Sequence, residues 1–163
     1  MKERMDGDPN SVRKEMTVNA PRDVAWRVFT EQMGAWWPLA FYKIGKVNAV
    51  DAAIEPRVGG RWYERGEDGS TCDWGSVLVW EPPALLVLSW DIGADWQYDP
   101  SLKTEVEIRF VAEGEGVTRV ELEHRHLDRY GVHRDKMRAI FDKEGDWGRL
   151  LAMFARVAEE VAT

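Results

Sequence analysis

Two stretches in the second half of the chain constrain its architecture more tightly than any other feature. Across residues 104–112, Val106, Ile108 and Phe110 alternate with Glu105, Glu107 and Arg109; across 117–125, Val120, Leu122 and His124 alternate with Arg119, Glu121 and Glu123. A period of two sends successive side chains to opposite faces of a strand, and the intervening Gly114-Glu115-Gly116 supplies a turn. The pair reads as an antiparallel hairpin with one buried and one solvated face. Further on, Trp147, Leu150, Leu151, Phe154, Val157, Ala158 and Val161 recur at spacings of three and four, which is one apolar face of a long helix that begins near Asp146. The apolar face of a sheet is the one surface large enough to cover that stripe.

The remaining strands follow the same logic. Val12, Lys14, Met16 and Val18 alternate with Arg13, Glu15 and Thr17, a first strand. Asn19-Ala20-Pro21-Arg22-Asp23 opens a short helix carrying Val24, Ala25, Trp26, Val28 and Phe29; Gly34 interrupts it, and Ala35-Trp36-Trp37-Pro38 ends the helical region. Apolar runs at 47–55, 60–65, 72–81 and 85–91, separated by Gly, Pro, Asp and Ser clusters, complete an antiparallel meander. Residues 91–102 read as a longer loop carrying Trp96 and Tyr98. Residues 1–10 are polar and read as a disordered tail, leaving 11–163 as one domain.

Composition narrows the function classes. The 163 residues hold 22 Lys and Arg against 29 Asp and Glu, a net charge of −7, which argues against non-specific nucleic-acid binding. No apolar run approaches the roughly 18–20 residues needed to span a bilayer, and the first residues lack the apolar core of a signal peptide, so the expectation is a cytoplasmic protein without a membrane role. The single Cys72 cannot form an internal disulfide and reads as structural. Nine tryptophans form the most unusual element of the composition.

Strand parity indicates where those indoles point. It sends Trp62 and Glu64 inward while Arg61 and Arg65 stay solvated, and it favours Trp74, Ser76, Leu78 and Trp80 on one strand and Leu86, Leu88 and Trp90 on the next. With Phe110, His124, Leu151 and Phe154, the tryptophans at 62, 74, 80 and 90 and Glu64 then line the space under the C-terminal helix. Aromatic walls with a few polar anchors suit a small-molecule site, although indoles also serve as plain core. A buried carboxylate needs a partner, so Glu64 and His124 are expected to bond each other or a ligand, unless they reach solvent at the sheet end. Trp36-Trp37-Pro38 reads as a plug at the pocket mouth, core packing or an exposed partner surface.

Other chemistry finds little support. His124-x-His126 places two imidazoles on one strand, with Asp128 and His133 nearby, but no metal-ligand spacing such as HExxH or paired CxxC accompanies them. No GxSxG, P-loop or GxGxxG occurs, and Val58-Gly59-Gly60 leads into a strand and reads as a turn. No metal or cofactor is expected.

Several segments resemble a known family. They are Val18-Asn19-Ala20-Pro21 ahead of Val24-Ala25-Trp26 and Val28-Phe29; the run from Ile54-Glu55-Pro56-Arg57 through Val58-Gly59-Gly60-Arg61 to Trp62-Tyr63-Glu64; Trp74-Gly75-Ser76-Val77-Leu78-Val79-Trp80-Glu81-Pro82-Pro83 with Leu86 and Trp90; and Gly145-Asp146-Trp147-Gly148. Together with the element order, they resemble the SRPBCC (START/Bet v1-like) superfamily, in the branch related to the C-terminal domain of the Hsp90 ATPase activator. The resemblance implies an α+β helix-grip fold, in which a curved antiparallel sheet of about seven strands, with two short helices after strand one, wraps a long C-terminal helix. It also implies a hydrophobic cavity between helix and sheet and no shared catalytic constellation.

Three functions compete on this reading. The first is binding of a small apolar or aromatic ligand in that cavity. The second is a protein-interaction or co-chaperone-like module, using Trp36, Trp37 and an acidic surface to contact a protein partner or a second copy in a homodimer. The third is a cyclase- or hydrolase-like enzyme with Glu64 and His124 as acid and base.

Overall fold

The computed structural model describes residues 8–143 and 146–163. Its elements are β1 (Val12–Val18), α1 (Arg22–Glu31), α2 (Met33–Trp36), β2 (Ala49–Ile54), β3 (Arg61–Gly66), β4 (Thr71–Glu81), β5 (Leu85–Trp90), β6 (Thr104–Gly114), β7 (Val117–Arg125), a 3-10 segment (Leu127–His133), α3 (Arg134–Asp142) and α4 (Trp147–Ala162). All seven strands form one antiparallel sheet in the order β1-β7-β6-β5-β4-β3-β2. The six later strands are a meander, and β1 adds to its far side by pairing Val12–Val18 with His124–Thr118. This is the α+β helix-grip architecture expected from the sequence. No helix among the described residues is long and apolar enough to cross a membrane.

Helix α4 lies across the concave face because its stripe is apolar: Trp147, Leu150, Leu151, Phe154, Ala155 and Ala158 are buried, while Val161 extends past the sheet into solvent. Helix α1 closes one end. Its Phe29 ring lies 5.3 Å from Phe154 and 5.8 Å from Phe110, and Trp26 lies 5.1 Å from Trp80. The helical break falls at Gln32 rather than at Gly34, which sits inside α2. A Cβ at Gly34 would come within 1.9 Å of Asp51 Oδ1, so glycine there permits α2 to approach β2.

Parity holds in β3, β6 and β7 and fails in β4. Val106, Ile108, Phe110, Val120, Leu122 and His124 face inward, as do Trp62 and Glu64. Strand β4 carries two bulges, one against Trp62/Tyr63 and one between Val77 and Val79. Each inserts one residue and shifts the facing by one position. Trp74 and Trp80 therefore still face inward, but Val77 replaces Leu78, which is exposed, and Ser76 turns to the outer face. At the first bulge Gly75 passes so close to β5 that a Cβ would meet Ser89 O at 1.8 Å.

Residues 1–7 of the expected tail lie outside the described residues. Residues 8–10 form a turn held from the opposite end of the chain, with the Leu127 amide donating to Asn10 O at 2.9 Å and Arg138 Nε to Asp8 O at 3.1 Å. Gly145 of the 145–148 motif also lies outside the described residues.

Candidate ligand-binding cleft

Where the N-terminal end of α4 meets α3 and the loops after α2 and β5, the sheet and helices leave a cleft of about 350 Å³. Five of the nine tryptophans line it: Trp37, Trp74, Trp90, Trp96 and Trp147. Tyr42, Lys43 and Ile44 form one wall, Ile140 and Phe141 of α3 another, and Asp146 and Leu150 complete the rim along α4.

Each indole is fixed by a separate device. Trp37 Nε1 donates to Tyr42 O at 2.8 Å, and its ring lies 4.9 Å from that of Trp74. Trp74 Nε1 donates to Glu64 Oε1 at 2.9 Å, and Trp147 Nε1 to His124 Nδ1 at 3.1 Å. Trp90 stacks edge-on to Trp147 at 5.6 Å. Its Nε1 has no hydrogen bond of good geometry, although the Tyr130 hydroxyl lies near enough for the indole to bear on the phenol's ionisation. Trp96 sits on the 91–103 loop at φ 63°, a left-handed conformation uncommon for a bulky side chain, and is 41% exposed at the cleft mouth. The base of that loop is pinned by Asp91, whose carboxylate accepts from Ser89 Oγ at 3.0 Å and the Lys103 amide at 3.1 Å. Burial raises the Asp91 pKa against those two bonds.

Glu64 anchors the cleft wall without lining the cleft. It is 2% exposed and accepts from the Ile44 amide at 2.6 Å, the Gly45 amide at 3.0 Å and the Trp74 indole. Three N–H donors satisfy a carboxylate that has no ion pair with a described residue, which explains how an apolar face tolerates it. The space beside it is tight, because a Cβ on Gly45 would meet Glu64 Oε2 at 2.8 Å.

His124 is fully buried and engaged elsewhere, so the expected Glu64–His124 bond is not made. An indole N–H can only donate, so Nδ1 of His124 accepts from Trp147 and its proton resides on Nε2. Nε2 then donates to Thr104 Oγ1 at 3.0 Å, and the threonine hydroxyl donates to Trp90 O at 2.7 Å. Burial lowers the imidazole pKa to about 3. A neutral, fully bonded imidazole locks the two tryptophans of the α4 side of the cleft and has no free nitrogen for acid–base work.

Of the nine residues expected to line a ligand site, Trp74 and Trp90 are on the wall of this cleft. Trp62 packs behind them, 5.4 Å from Trp74 and 5.7 Å from Trp90. Glu64 and His124 stand one layer back as just described. Trp80 and Phe110 pack against Trp26 at 5.1 and 5.3 Å, and Leu151 and Phe154 fill the core beneath α4. Trp36 is buried between Phe29 and Phe154, and Trp37 is 5% exposed, so neither forms an exposed partner surface. His126 does not share a face with His124: it leaves the strand at φ 63° and approaches Glu105 at 3.6 Å. No group of three His, Cys, Asp or Glu among the described residues is placed to hold a metal ion.

The cleft also has ionisable groups that strand parity could not reveal. Lys43 Nζ donates to Gly45 O at 2.6 Å. Asp146 precedes α4 but does not cap it, and its carboxylate makes no hydrogen bond to a described residue. Burial raises its pKa, with Lys143 and Arg149 opposing the shift. Tyr42, Lys43, Ile44, Ile140 and Phe141 lie on segments with no strand pattern. For α3, the helical spacing of Met137, Ile140 and Phe141 is the signal that carries them.

The profile of the Activator of Hsp90 ATPase homolog 1-like protein family matches residues 19–159. Among solved structures, the chain is 36% identical to Txn09, described as an anthrahydroquino-gamma-pyrone synthase, with a TM-score of 0.64 over 92% of this chain and 99% of that one. It is 32% identical to CalC, a self-sacrificing resistance protein from Micromonospora echinospora, with a TM-score of 0.70 over 95% and 97% of the two chains. NE0264 from Nitrosomonas europaea shares the fold at 15% identity and a TM-score of 0.67, covering 94% of this chain and 96% of that one. No functionally curated protein matches the sequence.

Proposed function

Because the chain belongs to the Activator of Hsp90 ATPase homolog 1-like family, whose fold encloses a cavity between sheet and helix, we propose that it binds a flat aromatic small molecule in the tryptophan-lined cleft. One observation carries the reading: five indoles from five separate segments converge on a single cleft of about 350 Å³. That volume lies at the lower end of the roughly 300–1,000 Å³ of small-molecule sites. Aromatic faces and edges reward a ligand that can stack, by about 0.5–1.5 kcal/mol per ring pair beyond simple burial. The 36%-identical Txn09 is described as an anthrahydroquino-gamma-pyrone synthase, and the compound that description names is a polycyclic aromatic. Binding rather than catalysis is the proposal, because His124 and Glu64 are both consumed by structural bonds.

The test is a titration with 1,8-dihydroxyanthraquinone, read by quenching of tryptophan emission and by calorimetry. Saturable binding of one molecule per chain is expected. Ile140→Trp, which fills the cleft from α3, abolishes it. An absent response, or one that Ile140→Trp leaves intact, overturns the proposal.

A further inference from the structure

The cleft's polar group narrows the ligand further, and the inference rests on the aromatic-ligand reading above. Asp146 stands at the first position before a 16-residue helix, where a carboxylate ordinarily turns back to cap the exposed backbone N–H groups. Here no side-chain cap is made: Asp146 lines the cleft beside Trp147, and its carboxylate has no hydrogen bond to any described residue. The other charge in the lining, the Lys43 ammonium, keeps its charge and is held on the loop wall by its bond to Gly45 O. The walls are indoles, the aromatic surfaces that attract cations best. The whole chain carries −7, which raises the local concentration of cations over anions.

We infer that the cleft takes an aromatic ligand bearing a cationic amine, with the amine against Asp146 and the indole faces. The carboxylate supplies the counter-charge that a desolvated cation requires, and the indoles replace the water it loses. Burial raises the Asp146 pKa, and the two cations acting on it, Lys143 and Arg149, are exposed and screened by solvent, so they leave the carboxylate open to a ligand's charge.

A matched pair of probes isolates the charge: an anthraquinone carrying a 2-(trimethylammonio)ethylamino arm, and the same compound with a tert-butyl carbon in place of the quaternary nitrogen. At pH 8 the cation is expected to bind about tenfold more tightly than its neutral isostere. Asp146→Asn keeps a residue equally suited to a helix start; in it the cation's advantage over the neutral probe falls to about twofold. Equal binding of the two probes to the unaltered protein, or a preference that survives Asp146→Asn, overturns the inference and leaves the aromatic-ligand reading standing. Failure of both probes to bind overturns both.

Discussion

Replacing Glu64 by glutamine tests whether the cleft wall is held from behind. The carboxylate receives three N–H donors, from Ile44, Gly45 and Trp74, inside a pocket where Gly45 leaves almost no free space. An amide keeps one accepting oxygen and places its NH2 against a third donor. The lost charge-assisted bond is worth about 1.5–3 kcal/mol, and a stranded donor costs about 1–3 kcal/mol more. Removing a buried charge returns part of this, for a net loss of about 2–3 kcal/mol. In a chain of this size each kcal/mol lowers Tm by about 2–4 °C, so Glu64→Gln is expected to melt about 5–10 °C lower. Because Tyr42, Lys43 and Ile44 line the cleft, the variant also loses anthraquinone affinity at temperatures where it remains folded. Urea unfolding followed by tryptophan emission gives the stability, and titration of the folded variant gives the affinity. A Tm within 1–2 °C of the parent, with unchanged affinity, would refute the view of Glu64 as the wall's anchor.

Other expectations concern the relay, the bulge and the mouth. His124 has a pKa of about 3 when folded against 6.5 when exposed. The unfolded chain therefore binds a proton that the folded one refuses: stability is complete above pH 6.5 and falls toward pH 3 by about 1.4 kcal/mol per pH unit. In His124→Gln that component of the urea-midpoint slope disappears; an unchanged slope contradicts the buried neutral imidazole. Gly75→Ala drives a methyl into Ser89 O and is expected to cost about 3 kcal/mol in denaturant unfolding; a near-neutral result places the two strands further apart than described. Trp96→Gly relieves a left-handed backbone, so it should change stability by less than about 1 kcal/mol while weakening anthraquinone binding about tenfold. Unchanged binding removes Trp96 from the site.

The fold was legible where one rule sufficed. In β6 and β7 every inward position follows from parity, and the α4 stripe follows from its spacing, because charged residues mark the opposite face. In β4 both faces are apolar over Val77–Trp80, so nothing in the sequence marks where a bulge shifts the phase, and Ser76 and Leu78 were assigned to the wrong side. The inward facing of Glu64 and His124 was readable from parity; their full burial and their partners were not. Glu64 is satisfied by amides of a loop 19 and 20 positions away, and His124 by a tryptophan 23 residues further along. Bonds across such distances depend on tertiary placement, which periodicity does not encode. The same limit hid Asp146, whose carboxylate is distinctive only because it fails to cap its helix.

The sheet's connectivity sets an order of events during synthesis. Strand β1 leaves the ribosome first, yet its sole neighbour is β7, and Val12 faces His124. The meander from β2 to β7 can pair strand by strand as it emerges, each new partner being the next strand in the chain, with the 91–103 loop the longest interval from β3 onward. Through all of that time the first strand has no edge to join. Its consecutive Arg13, Lys14 and Glu15 keep the waiting segment charged. Closure of the sheet therefore comes last, and it draws the amino-terminal segment to the strand that holds the Trp147 relay.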